Sequence, residues 1–319
     1  MVKEIKIGTR GSALALWQSR FVKKLLNDKY PHINVEIITI STTGDRDTKR
    51  ALSSLGVTGV FTAEIENSLL AGEVDIAVHS YKDLATVVPE GLKIAAVLKR
   101  EDFSDSFITK DLVPFDKLKP GSVIGTSSLR RRAMLLNIRK DLEIINLRGN
   151  VHTRLNSVGF NFEDGKKNKV ADATIMATAG LKRLGLANLA VNKMNPDIFL
   201  PAPAQGAIAV EMRSDNFELS NILNSINDRE SEMTTLCERT FMNKMEGGCQ
   251  LPIGALATFI DSQNINLRGA VLSIDGGHSV TGSIRGKDPV ELGILLADEL
   301  KNRGAGQIIN DVKIHLENI

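Results

Sequence analysis

Aromatic side chains are scarce. They make up 4% of the 319 residues, with one tryptophan and two tyrosines. Proteins that hold single-stranded nucleic acid stack bases on such rings, so that class is disfavoured. Charge of one sign is also missing in bulk. Forty Lys and Arg stand against 38 Asp and Glu, a net charge of +2, so any basic patch has to be local. Two cysteines, Cys237 and Cys249, do not make a disulfide framework. No apolar run approaches the length of a membrane span. The opening MVKEIKIGTRG enters a strand without an apolar leader, and a soluble cytoplasmic protein is expected. No cluster of His, Cys and carboxylate residues has metal-ligand spacing, so no metal is expected either.

What is present is an ordinary apolar share, 42%, and a length that suits two or three domains. The chain is organised around residues 125–155, GTSSLRRRAMLLNIRKDLEIINLRGNVHTRL, where one pattern occurs twice. A strand over 122–125 runs into Thr126, Ser127 and Ser128, all good N-cap residues, and a helix over 129–138 follows. A second strand over 143–147 and a polar turn then open another helix near Val151. Arg130, Arg131 and Arg132 fall in the first turn of the first helix, and Arg148 and Arg154 flank the start of the second. Cations there oppose the helix dipole. At separations of about 8 Å and an effective dielectric of about 20, each pair of them would cost about 2 kcal/mol before screening. A bound polyanion relieves that repulsion, and helix N–H groups with arginine forks suit carboxylates or phosphates. The bland alternative, most applicable to Arg132 and Arg139, is that the side chains point into water.

Before this stretch, a strand over 3–8 leads to Arg10 and Ser12, a further anion site with a possible N-cap. Leu14, Trp17, Phe21 and Leu25 recur at helical spacing, which makes Trp17 a core residue rather than a ligand platform. A strand over 35–40, a polar loop over 41–60, a helix over 61–71 and strands over 74–78 and 92–98 complete an α/β unit. So long a loop is usually functional. After Val78 comes HSYKDLAT, in which Lys82 and Asp83 sit side by side at a strand end. Such a pair serves as a general acid/base with a supporting cation, although Asp83 alone also suits a turn cap. His79 by itself reads as a structural histidine.

The alternation repeats from Arg100 to about Leu200, with a strand over 172–176 and a helix over 179–186 bearing Arg183. LPAPAQGAIAVEM (200–212) then reads as a proline-punctuated return into the first lobe, and two crossovers make a hinge. A helix over 229–245 places Met233, Cys237, Phe241 and Met245 on one stripe, so Cys237 is an inert core thiol. Cys249 follows Gly247-Gly248, where close approach of a ligand is possible and an accessible thiol can carry an adduct. Strands over 253–260, 265–274 and 278–284 and an amphipathic helix over 289–300, ended by Gly304, make a small α+β unit.

Seven stretches in order resemble the porphobilinogen deaminase (hydroxymethylbilane synthase) family: GTRGSALALWQ at Gly8, HSYKDL at His79, GTSSLRRR at Gly125, LRGNVHTRL at Leu147, AGLKRLG at Ala179, LPAPAQGAIAVE at Leu200 and ERTFMNKMEGGCQLPIGA at Glu238. The resemblance implies an α/β fold of two type II periplasmic-binding-protein-like lobes with a small C-terminal α+β domain. The implied boundaries are 1–98 with 206–226, 99–205, and 227–319. It implies a transferase of tetrapyrrole (haem) biosynthesis, monomeric and cytoplasmic, that joins four porphobilinogen molecules head to tail and releases ammonia. The product grows on a dipyrromethane cofactor attached through a thioether to Cys249. By position, Asp83 and Lys82 are catalytic; Ser128, Arg130, Arg131, Arg148, Arg154 and Arg183 bind cofactor; Arg10, Ser12, Phe61 and Gln205 bind substrate. The sequence departs from the family pattern at Tyr81 and at Ala85, where a proline is usual. It also departs at Ala204, where glycine is common, and at Ser54 and Thr58, where relatives often carry lysine. Two other readings compete: a solute-binding or effector module on the same bilobal fold, and nucleic-acid binding through the arginines.

Overall fold

The computed structural model describes residues 2–42, 62–163, 165, 168–246 and 251–318. Strand β1 (Glu4–Thr9) runs parallel to β2 (Asn34–Thr39), with Ile5 opposite Val35 and Ile7 opposite Ile37. Helix α1 (Ala13–Lys29) connects them and begins at Ser12, whose hydroxyl accepts from the Ala15 amide at 3.3 Å. A cap of this kind is worth about 0.5–2 kcal/mol. Helix α2 (Ala63–Leu70) leads to β3 (Ile76–Ser80), parallel to β1, and β4 (Leu92–Val97) follows. A gap one strand wide separates β3 from β4 until the chain returns.

The chain next crosses into a second lobe. Its strands are β5 (Asp105–Thr109), β6 (Val123–Gly125), β7 (Glu143–Ile145), β8 (Ala173–Ala177) and β9 (Asn192–Lys193). Their order is β7-β6-β8-β5-β9, with β6 parallel to β7 and β8 and β5 antiparallel to its neighbours. Helices α3 (Leu129–Ile138), α4 (Val151–Asn156) and α5 (Thr178–Arg183) follow β6, β7 and β8. The expected strand over 143–147 stops at Ile145. Leu147 is instead buried beneath Gly125, and its carbonyl accepts from the Ser127 hydroxyl at 3.0 Å.

Strand β10 (Ile208–Arg213) then fills the gap in the first sheet, antiparallel to both β3 and β4, giving the order β2-β1-β3-β10-β4. The two sheets therefore share one plan. In each, the single strand that runs against its neighbours is the one that has just arrived from the other lobe. The crossovers touch backbone to backbone. Gly206 sits at φ +92°, and a Cβ there would lie 2.4 Å from the Glu101 carbonyl, so only glycine fits.

After helix α6 (Phe217–Asn224), helix α7 (Arg229–Lys244) starts the C-terminal domain, capped by Asp228 through the Ser231 amide at 2.9 Å. Strands β11 (Ile253–Phe259), β12 (Ile265–Leu272) and β13 (Ser279–Gly286) form an antiparallel sheet. Helix α8 (Pro289–Leu300) covers it together with α7. Cys237, Phe241 and Met245 fill their shared core with Leu267 and Leu296, as the stripe indicated. Burying a side chain such as Phe241 contributes about 1.5–3 kcal/mol. Gly304, at φ +102°, breaks the helical run, and α9 (Gly306–Glu317), which the sequence reading did not include, packs Ile309 and Val312 into the same core. The fold class has the expected layout: two similar α/β lobes, each with a five-stranded mixed sheet, and a small α+β domain with an antiparallel sheet.

Candidate active site

Strand β3 ends at Ser80, and one 3-10 turn, Tyr81–Asp83, follows. Tyr81 and Leu84 are buried against Val97, Ala204, Ala207 and Ala209 and anchor the turn, which leaves Asp83 exposed at its tip. Lys82 turns inward and donates to Gln205 Oε1 at 3.4 Å. Gln205 is fully buried. Its amide nitrogen donates to the Phe103 carbonyl and to Asp105 Oδ1, both at 2.9 Å.

Asp105 is the centre of the second lobe's contribution. Arg131 donates to its Oδ1 through Nη2 at 2.7 Å and Nε at 3.2 Å, and Arg130 Nη2 lies 2.8 Å from its Oδ2. The remaining donors of the two guanidinium groups reach main-chain oxygens: Arg130 Nη1 to Leu200 at 2.7 Å and Arg131 Nη1 to Ile175 at 3.0 Å. This corrects the charge argument made from the sequence. The strongest part of the arginine repulsion is neutralised by an internal carboxylate, and Arg130 and Arg131 are both buried beside it. Arg132 and Arg139 do not simply point into water either. Arg132 Nη1 donates to the Ile144 carbonyl at 3.4 Å, and Arg139 pairs with Asp141 and donates to the Phe115 and Leu118 carbonyls.

The other anticipated residues lie at the ends of the same strands and helices. Ser128 caps α3, accepting from the Arg131 amide at 3.4 Å. Arg154 Nε donates to the Gly149 carbonyl at 2.9 Å, and Arg148 is half-buried in the turn before α4. Arg183 Nη2 donates to the Gly206 carbonyl at 2.6 Å, and its guanidinium sits 5.8 Å from the Trp17 ring, bridging the lobes. Trp17 is thus a partly buried ring stacked on Phe21 that also faces an arginine. Arg10 is half-buried just past β1, and the Ser12 hydroxyl is engaged as the α1 cap. His79 is buried beside Glu211 at 3.1 Å, on neighbouring strands. Gln205 contacts Lys82 and Asp105. Phe61, Cys249, Ser54 and Thr58 lie outside the described residues.

The charges form one coupled field. Burial pushes Lys82 down to about 8; Asp83 and Asp105 oppose that fall while Arg131 and Arg130 add to it. Burial brings Arg154 down to about 10, with Arg131 and Arg148 depressing it further and Asp83 supporting its charge. For Asp105, burial raises the proton affinity but Arg130 and Arg131 outweigh it, holding the carboxyl well below the usual range. Asp83 therefore shares an electrostatic field with Lys82 and Arg154, and Lys82 shares one with Arg130, Arg131 and Asp105. Such a field suits anions and a cation held beside one exposed carboxylate. Among the described residues no group of three His, Cys, Asp or Glu is placed to hold a metal.

Sequence reasoning missed Asp105, Arg100, Glu238 and Arg239. Arg100, on the first crossover, donates to Glu238 through both terminal nitrogens, at 2.7 and 3.0 Å, and through Nε to the Gln205 carbonyl. Glu238 also accepts from the Ala204 and Ala257 amides, so one buried carboxylate ties both crossovers to the C-terminal domain. A signal was available: Glu238 follows Cys237 directly and precedes Phe241 by one helical turn, which puts its charge on the buried stripe.

Comparison with known proteins identifies the family. Residues 5–221 match the family model described as porphobilinogen deaminase, dipyromethane cofactor binding domain, and residues 233–302 match the porphobilinogen deaminase C-terminal domain. The chain belongs to the porphobilinogen deaminase family. A porphobilinogen deaminase from Pelotomaculum thermopropionicum is 42% identical over 311 residues, 97% of each chain. One from Syntrophomonas wolfei is 42% identical over 314 residues, covering 98% of this chain and 100% of its own. Among solved structures, an ABC-transporter periplasmic substrate-binding protein from Coxiella burnetii overlays with a TM-score of 0.43 at 16% identity, over 72% of this chain and 94% of its own. The lobe architecture rests on the strand orders above and not on that overlay. Porphobilinogen deaminases are hydroxymethylbilane synthases, which are transferases, and the first two lobes correspond to the family's dipyrromethane-binding region.

Proposed function

We propose that this chain joins four porphobilinogen molecules head to tail into hydroxymethylbilane, with Asp83 as the catalytic carboxylate and Cys249 as the point of covalent attachment of the dipyrromethane. The observation that carries the reading is the placement of Asp83: exposed, at a strand end, in the field of Lys82 and Arg154. The donor set fits the cofactor, because a dipyrromethane bears acetate and propionate groups and Arg154 is a half-buried cation whose charge other cations disfavour. Cys237 is fully buried and its thiol is pushed up by burial, so Cys249 is the cysteine left for a tether.

When bound, the primer supplies the free pyrrole α-carbon that accepts the first substrate unit. The chain's own residues do the rest. Ser128, Arg130, Arg131, Arg148, Arg154 and Arg183 hold the cofactor, and Arg10, Ser12 and Gln205 hold the substrate, through side-chain carboxylates of the pyrroles. Loss of ammonia from porphobilinogen leaves a cation, and Asp83 faces the ring N–H groups, stabilises that charge and takes up the α-proton after the new C–C bond forms. Lys82 sets the field at Asp83, and Gln205 positions Lys82. Phe61 is assigned to substrate contact. The same proposal divides the chain at 1–98 with 206–226, 99–205 and 227–319, in keeping with the sheet memberships. It includes a cytoplasmic monomer without nucleic-acid partners; among the described residues no helix is long and apolar enough to cross a membrane.

Asp83→Asn tests the assignment. General acid–base and electrostatic loss at such a position lowers turnover by about 10²–10⁴-fold, with the fold intact by circular dichroism. Near-wild-type release of ammonia from porphobilinogen by Asp83→Asn would remove Asp83 from the mechanism.

A further inference from the structure

We propose that Arg239, on α7 of the C-terminal domain, is a positioning residue that holds the Asp83 turn in its working conformation. The inference rests on the reading of Asp83 given above. Arg239 is 5% exposed. Its Nη1 donates to the carbonyls of Tyr81 at 3.2 Å and Leu84 at 3.0 Å, and its Nη2 donates to the Ala85 carbonyl. The guanidinium carbon lies 4.3 Å from the centre of the Tyr81 ring.

An arginine this deeply buried ordinarily brings a carboxylate with it. Its neighbour in sequence, Glu238, is engaged with Arg100 instead. The donors of Arg239 go to three main-chain oxygens of the five-residue segment that carries Lys82 and Asp83. A planar fork matches several carbonyls at the end of a turn in a way an ammonium cannot. The segment also needs an external brace. Ala85 gives it no ring to fix the backbone, and Leu84 is extended at φ −81°, ψ 138°, so the 3-10 turn ends there. Because Asp83 is exposed, its direction is set by this backbone and not by packing of its own side chain.

The brace comes from an informative place. Helix α7 ends at Lys244, five positions before Cys249. One helix therefore indexes the catalytic turn and leads to the proposed tether, which keeps the carboxylate in register with a product chain that lengthens step by step. Arg239 also borders a groove of about 680 Å³ between β4 and helices α7 and α8, which gives small solutes access to it.

The test uses the holoenzyme with Arg239→Ala and Arg239→Lys. Intact mass reports whether the primer is loaded, thermal unfolding reports the fold, and kcat and KM for porphobilinogen are read separately. A displaced catalytic group costs about 10²-fold, and the loss is expected in kcat with KM nearly unchanged. Arg239→Lys is expected to fall between Arg239→Ala and wild type, and millimolar ethylguanidinium to restore Arg239→Ala by about 10-fold or more through the groove. Wild-type kcat in a primer-loaded Arg239→Ala overturns the proposal, as does a loss confined to thermal stability. If Arg239→Ala does not fold or load, Arg239→Lys decides: a wild-type kcat there overturns it. Asp83→Asn run in parallel separates the two readings. Full turnover by Asp83→Asn sinks the assignment beneath this inference; an inactive Asp83→Asn beside a fully active Arg239→Ala sinks the inference alone.

Discussion

Lys82 feels two carboxylates and two guanidinium groups, and its proton titrates within reach of ordinary buffers. Burial disfavours the ammonium and brings its proton affinity down to about 8, against the support of Asp83 and Asp105. Below that pH the charge is present; above it the charge is lost. If the ammonium tunes Asp83, kcat/KM falls on the alkaline side with a midpoint near pH 8, and Lys82→Arg moves that limb upward, because a guanidinium stays charged. Stability runs the other way. The folded chain releases this proton earlier than the unfolded chain, so between about pH 8 and the ordinary lysine value of 10.5 the Lys82 contribution to stability rises with pH. A pH–rate profile that stays flat through pH 8 to 9, or is unchanged in Lys82→Arg, would remove the role. At this scale the cations and Asp83 were legible from their places at strand and helix ends. Asp105 was not, because a single acidic residue opening an apolar strand looks like a solvated end until its two partners, 25 and 26 positions later, fold onto it.

Helices and strands were read with varying success, and the physical reasons differ. Helix α3 was fixed at both ends, since Ser128 caps it and the apolar spacing runs out at Ile138. Strand β10 was read as returning to the first lobe, but its antiparallel place between β3 and β4 is a matter of topology that local pattern does not encode. The segment before it is where element geometry is most constrained. Ala204 adopts φ +60° and Gly206 φ +92°. The two positions respond differently to substitution. At Ala204, relief of left-handed strain, about 1–2 kcal/mol, is offset by the entropy of glycine and by one lost buried methyl, about 0.8 kcal/mol, so Ala204→Gly is expected to stay within about 1 kcal/mol of wild type. Gly206→Ala drives a Cβ to 2.4 Å from the Glu101 carbonyl and is expected to cost at least about 2 kcal/mol. Urea unfolding of the two variants checks this, and a Gly206→Ala midpoint equal to that of wild type would contradict the packed-crossover geometry.

The whole molecule is two lobes joined by two crossovers, with the C-terminal domain gripping both through Glu238 and gripping the Asp83 turn through Arg239. A net charge of +2 concealed this, because Arg130 and Arg131 are compensated locally by Asp105. Composition alone could exclude function classes but not bring residues together; folding showed that Arg130 and Arg131 converge on Asp105 and that Arg239 reaches the Asp83 turn. Binding of an acid-decorated chain next to one aspartate is the claim on which the account stands, and the covalent state of the protein tests it most directly. Intact-mass measurement is expected to give a value above the bare 34.7 kDa chain by two pyrrole units, with the added mass mapping to Cys249, and a ladder of further pyrrole units on incubation with porphobilinogen. A mass equal to the bare chain, with Cys249 freely alkylated and no ladder, would contradict it.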